Sequence, residues 1–170
     1  MSFMDFMGKT FAIAALGLAP AMANALDAPT GEVVLTITGN ITETNNGDQA
    51  DFDIEMLEAL GTESFESTTQ WTEGTPTFKG PSLKTVLDAV GAGSTELRAT
   101  ALNDYSIEMD AGTDGFPGPV IATKMNGEPM SVRSKGPLWL VYPYDLDPKF
   151  QSEVVFSNSI WQLRSINVAD

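Results

Sequence analysis

The chain has 170 residues, enough for one domain with a buried core at 42% hydrophobic content. Nine basic residues against 23 acidic ones leave a net charge of -14, a surface that repels phosphate backbones and anionic headgroups and so excludes nucleic acid and acidic membranes as partners. It has no cysteine and no histidine, which removes disulfides, thiolate nucleophiles, thiolate or imidazole metal ligands and the commonest general base.

The amino terminus, MSFMDFMGKTFAIAALGLAPAMANALDAP, carries one lysine, an apolar run from Phe11 to about Ala19, and small residues with two overlapping A-x-A sites. Residues 1–25 therefore read as a secretory signal peptide, with cleavage after Ala25 or Ala23. The run is too short for a spanning helix, and Pro20 interrupts it. Asp5 is out of place in a positive leader, which suggests a start at Met4 or Met7. Residues 26–170 then form a single exported domain, with a periplasmic location expected. It would be stabilised by packing alone in a compartment that permits disulfides.

EVVLTIT, from Glu32 to Thr38, is β-branched and runs into Gly39-Asn40, which predicts a strand and a turn. In DFDIEMLEALG, Phe52, Met56, Leu57 and Leu60 share a helical face, Asp51 or Asp53 can cap it and Gly61 can end it. Ser64 to Thr69 alternates as a strand that Trp71 closes. GPSLKTVLDAVGAG predicts a helix capped by Ser82, with Leu83, Val86, Leu87 and Val90 at helical spacing and Gly91 as the stop.

Glu96–Leu102 and Tyr105–Met109 read as strands joined at Asn103-Asp104, and DAGTDGFPGP as a loop. VIATKMNGEPMSV carries the Asn126-Gly127 hairpin signal. LWLVYP is apolar enough for a central strand, and SIWQLRSINV alternates imperfectly, as a last strand with a register break or with both faces covered. Many short strands with two short helices predict an α+β, sheet-dominated domain without repeats or linkers.

Three blocks carry a resemblance. Trp71 followed by TFKGPSLKTVLDAVG, then NDYSIEM, then MNGEPMSVRSKGPLWLVYP with the closing IWQLRSINV, resemble in this order the oxidoreductase molybdopterin-binding domain, the fold of sulfite oxidase. The resemblance runs from about Thr62 to Val168. It implies that fold, with a mixed sheet and a few short helices. It also places Ser67 where enzymatic members carry the cysteine that ligates molybdenum. A hydroxyl is a harder, far less acidic ligand than a thiolate, so loss of the metal is expected.

The sole basic cluster, Arg133-Ser134-Lys135, suits a phosphorylated molybdopterin poorly. What the resemblance leaves is a pterin pocket, needing stacking aromatics, fixed donors and a carboxylate for the amino-pyrimidinone edge. The chain is similar to cysteine-free exported members that bind a pterin and work beside membrane signalling proteins. An oxidoreductase with a non-cysteine molybdenum ligand and an interaction module with a vestigial pocket are the alternatives.

The candidate ligand contacts are Ser67, Thr69, Trp71, Asn103, Asp104, Tyr105, Arg133 and Tyr144. Trp71 reads equally as core residue and as stacking platform, whereas Trp139 and Trp161, in apolar strands, read as core. Ser67 and Thr69, with Thr68, offer hydroxyls to a ligand or to solvent. Asn103 and Asp104 make a turn or face the ligand. Arg133 is a contact in an acidic protein with few bases to spend, or a surface ion pair. Tyr144 lies with Tyr142 and Asp145 in an aromatic-acidic loop. DQADFD and DAGTDG lack the ligand alternation and closing Glu of a calcium loop.

Overall fold

A computed structural model describes residues 26–113 and 115–170. The leader read at 1–25 lies outside the described residues. Among the described residues the domain is α+β and β-rich, built from three sheets and three short α-helices. In chain order these are β1 (Leu35–Gly39), β2 (Ala50–Phe52), α1 (Ile54–Ala59), β3 (Glu63–Glu66), β4 (Thr77–Gly80), α2 (Leu83–Ala89), β5 (Glu96–Ala101) and β6 (Ser106–Asp110). They continue with β7 (Val120–Ala122), β8 (Lys124–Met125), β9 (Glu128–Pro129), β10 (Trp139–Val141), α3 (Glu153–Ser157), β11 (Ile160–Trp161) and β12 (Leu163–Val168).

The five-stranded sheet runs β2-β1-β12-β5-β6 and is mixed, because β1 pairs with β12 in parallel while its other neighbours are antiparallel. Its inward positions, Leu35, Ile37, Leu97, Ala99, Ile166 and Val168, alternate with polar residues and are buried. That alternation fixes the register, since a slip of one residue would turn the apolar row to water. Two smaller sheets, β11-β10-β7 and β3-β4-β8-β9, complete the core. Trp139, Leu140 and Val141 on β10 are all fully buried, as a strand covered on both faces should be.

The helices start where side-chain oxygens cap them. Asp53 accepts from Met56 N at 2.8 Å and opens α1, and Ser82 accepts from Thr85 N at 3.1 Å and opens α2. Leu83, Val86 and Leu87 of α2 are buried, each contributing about 1.5–3 kcal/mol of burial before entropy is counted. The helix ends at Gly91, whose φ is +59° and whose place a side chain could not take, because a Cβ would lie 2.0 Å from Thr42 Oγ1.

The hairpin predicted at Asn126-Gly127 joins β8 to β9, with φ of 54° and 82° at the two residues as a type I′ turn requires. The break expected in the last strand falls at Gln162, at φ 54°. There the chain leaves one sheet for another: β11 belongs with β10 and β12 with β1 and β5. Gln162 is held in this turn by three hydrogen bonds. Its N–H donates to Lys135 O at 2.9 Å, its carbonyl accepts from Leu102 N at 2.9 Å, and its side chain donates to Val132 O at 2.6 Å.

Three readings change. Phe52, expected on the face of the first helix, lies in β2, which ends before Asp53 caps α1. The strand expected over Ser64–Thr69 is Glu63–Glu66, because Ser67 and Thr68 turn away to bond with Asp145. A third helix, α3, stands where no element was expected.

Candidate functional site: an aromatic cavity

Loop 67–73, the β5–β6 turn, α3 and β11 surround a cavity of about 580 Å³, within the size range of small-molecule sites. From the loop come Gln70 and Trp71, and from the turn Asn103 and Tyr105, with Ala101 at the end of β5. Glu153, Phe156 and Ser157 of α3 form one wall, and Ser159, Ile160 and Trp161 form the floor. Other concavities differ in lining. The one of about 700 Å³ beside β5 and β6 holds the Arg98–Glu108 ion pair and no aromatic residue.

Trp71 is the centre of the aromatic set. It packs edge-on against Trp161 at 5.8 Å, Trp139 at 6.1 Å, Phe156 at 6.1 Å and Tyr144 at 6.2 Å between ring centroids. Pairs at such distances and tilts contribute about 0.5–1.5 kcal/mol each beyond their burial. Both readings of Trp71 are realised at once: it packs on the core and lines the cavity. Trp139 is core, fully buried, but Trp161 is only half-buried and forms cavity floor. Lys135 places its ammonium 4.6 Å from the Trp161 ring centre and 5.3 Å from that of Trp139.

The loop bearing Trp71 is fixed by hydroxyls. Thr69 Oγ1 accepts from Trp71 N at 3.0 Å and bonds Thr72 Oγ1 at 2.8 Å, so Thr69 orients the loop and does not line the cavity. Ser67 is fully buried. Its Oγ donates to Thr68 O at 3.1 Å and accepts from Asp145 N at 3.2 Å. It too is absent from the cavity lining. A hydroxyl so engaged does not fit a metal ligand, and among the described residues no three His, Cys, Asp or Glu side chains gather as a metal site.

The β5–β6 turn takes shape through Asp104, at φ 65°, a conformation that Asp and Asn tolerate better than most residues. Asn103 Oδ1 accepts from Tyr105 N at 3.2 Å, which leaves its Nδ2 without a partner among the described residues. Asp104 points to Arg164, which donates to it at 2.9 Å, and it stays outside the cavity. Tyr105 is 55% exposed at the rim.

Tyr144 is 2% exposed and supports the wall from behind. Its hydroxyl bonds Ser159 Oγ, which donates to Val155 O at 3.0 Å, and its ring packs on Phe156 at 5.2 Å. Burial raises the Tyr144 phenol to about 12 in spite of the opposing Ser159 hydrogen bond, so the group is a neutral donor. Arg133 is exposed in the loop after the hairpin and does not line the cavity. Trp71, Asn103 and Tyr105 are therefore brought together, while Ser67, Thr69, Asp104, Tyr144 and Arg133 lie around or behind them.

The α3 wall was missed in the sequence. Glu153, Phe156 and Ser157 stand at i, i+3 and i+4 and so share one face. The one local signal is Ser152, whose Oγ accepts from Val155 N at 3.3 Å. Glu153 is the only charged side chain in the lining.

The arrangement can hold a flat aromatic ring: indole and phenyl groups for its faces and edges, and amide, hydroxyl and carboxylate groups for its polar perimeter. A bare pterin ring fits this set of donors and acceptors. Neither a protein-family model nor a curated protein matches the chain.

Proposed function

We propose that the domain is an exported pterin-binding protein that holds a pterin without metal and reports its presence to a membrane signalling partner. The observation that carries this reading is convergence. Trp71, Asn103 with Tyr105, and Trp161 come from three separate blocks of the sequence resemblance, and all of them line one cavity of about 580 Å³. This favours assigning the β-rich α+β fold to the sulfite oxidase-like molybdopterin-binding type.

The chemistry of the lining supports binding over turnover. Trp71, Trp161, Phe156 and Tyr105 provide stacking surface, while the amides of Asn103 and Gln70 provide neutral polar groups, the Ser157 and Ser159 hydroxyls being donated to Val154 O and Val155 O. The oxidoreductase alternative draws no support from Ser67, whose hydroxyl is buried and already bonded.

The test is to purify the protein from its native compartment, measure metal content, denature it and record the absorbance and fluorescence of what is released. Release of a fluorescent pterin without molybdenum supports the reading. Stoichiometric molybdenum overturns it in favour of an oxidoreductase. No released heterocycle and no binding of added pterins overturns it in favour of an interaction module.

A further inference from the structure

We infer that Glu153 reads the donor edge of the bound ring, so that the cavity selects a 2-amino-4-oxo bicycle over its 2,4-dioxo counterpart. The inference rests on the pterin reading above and assigns the specificity of that same site.

Three observations lead to it. First, Glu153 is the only charged side chain among the lining residues, in a cavity whose other polar groups are amides and hydroxyls. Second, its position is set by the fold. It opens α3 directly after the capping Ser152 and stands one helical turn from Phe156 and Ser157, on the face that forms the wall. Third, its carboxylate is exposed and no ion pair or hydrogen bond engages it among the described residues, so it is free to meet a ligand.

An ionised carboxylate only accepts hydrogen bonds and offers two oxygens side by side. The 2-amino-4-oxo ring presents two adjacent donors, the 2-amino group and N3–H, spaced to meet both oxygens. The 2,4-dioxo ring presents a carbonyl at C2, so it gives one N–H and sets an acceptor against the second oxygen. A site built to pair with a donor rejects an analogue lacking it, because its own polar group is left unpaired. Phe156 lies on the same helical face, so the ring's edge and one of its flanks are held by one element. Arg133 is absent from the lining, and the Lys135 ammonium meets it only through the Trp161 ring, 4.6 Å away.

The experiment titrates the full exported domain with pterin and with lumazine, its dioxo analogue, following quenching of the tryptophan emission, for the natural protein and for Glu153→Gln and Glu153→Asp. The natural protein should prefer pterin by about tenfold, the loss of one charge-assisted hydrogen bond at a partly solvated rim. Glu153→Gln, whose amide can donate as well as accept, should reduce that preference to about twofold or less. Glu153→Asp should lower affinity for pterin while keeping the preference. Equal affinity for the two rings, or a preference unchanged in Glu153→Gln, overturns the role of Glu153 and leaves the pterin reading standing. Absence of binding to either ring overturns both.

Discussion

Asp145 takes both hydrogens that Thr68 offers: the backbone N–H reaches one carboxylate oxygen at 2.6 Å and the hydroxyl reaches the other at 2.9 Å. In return Asp145 N donates to Ser67 Oγ. Two loops separated by 77 residues are clipped together here, next to the loop that carries Trp71.

Breaking that clip should loosen the cavity more than the fold. Asp145→Ala removes two hydrogen bonds at an exposed site where water can replace them, so the expected cost is about 1 kcal/mol of stability. Affinity for pterin should fall about three- to tenfold, as Trp71 loses its fixed position. Thermal unfolding and a fluorescence titration measured on the same sample check both numbers. The expected loss of stability with unchanged affinity would show that the clip serves only the core.

Trp71 is the side chain on which both packing and ligand depend. Trp71→Ala deletes four aromatic contacts and should cost about 2–4 kcal/mol, less than a fully buried tryptophan because the residue is half-exposed. Trp71→Phe keeps an aromatic face, should cost less than half as much, and should bind pterin about tenfold more weakly, since a smaller ring covers less of the ligand. Chemical denaturation and equilibrium titration of the two variants separate the effects.

The two bases of the Arg133-Ser134-Lys135 loop should behave differently. Arg133 is outside the cavity lining, so Arg133→Ala should leave pterin affinity within about twofold, as expected of an exposed surface charge. Lys135 holds its ammonium over the Trp161 ring. Lys135→Ala should weaken binding a few-fold through the position of Trp161, in line with about 0.5–2 kcal/mol for a cation over an indole. Titration of both variants decides it, and a large effect of Arg133→Ala would return that residue to the site.

Acid should unfold the domain through its buried aspartates. The backbone hydrogen bonds from Met56 and Gly31 hold Asp53 below its ordinary value of 3.8, against some opposing burial, with Thr30 N adding a third donor at 2.9 Å. Burial acts to raise Asp51, but bonds from Thr36, Asn46 and Gln49 together outweigh it and the carboxyl is lowered. A carboxyl lowered on folding stabilises the fold above its unfolded value, and that contribution is lost as the pH falls through the folded value. The melting temperature should therefore hold steady above roughly pH 5 and fall below about pH 4. Asp53→Asn should flatten the acid limb, and a melting series from neutral to acid pH measures it.

Local signals were legible in the sequence wherever one residue controls one bond. Ser82 with the apolar positions Leu83, Val86 and Leu87 marked α2, and Asn126-Gly127 marked the hairpin, while the imperfect alternation of SIWQLRSINV left a register break or a doubly covered strand open, of which the structure has the break, at Gln162. α3 was not legible because Val154 and Val155 are β-branched and argue against a helix, and five residues are too few to display a period. Its packing against the aromatic cluster holds it. Within the candidate site, residue type and block order pointed to Trp71, Asn103 and Tyr105. Which hydroxyls face the cavity depends on partners far away in the chain: Asp145 claims Ser67, and Ser159 claims Tyr144. No spacing rule reports such claims.

The parallel pairing of β1 with β12, Thr36 beside Ser165, joins strands nearly the whole domain apart. β12 also lies between β1 and β5, so until it arrives the β1–β2 and β5–β6 pairs have no common neighbour. β12 is thus the keystone of the largest sheet, and bringing it beside β1 closes a long loop that slows assembly. The main sheet therefore gathers only once β12 has been made, whatever the earlier strand pairs have already formed.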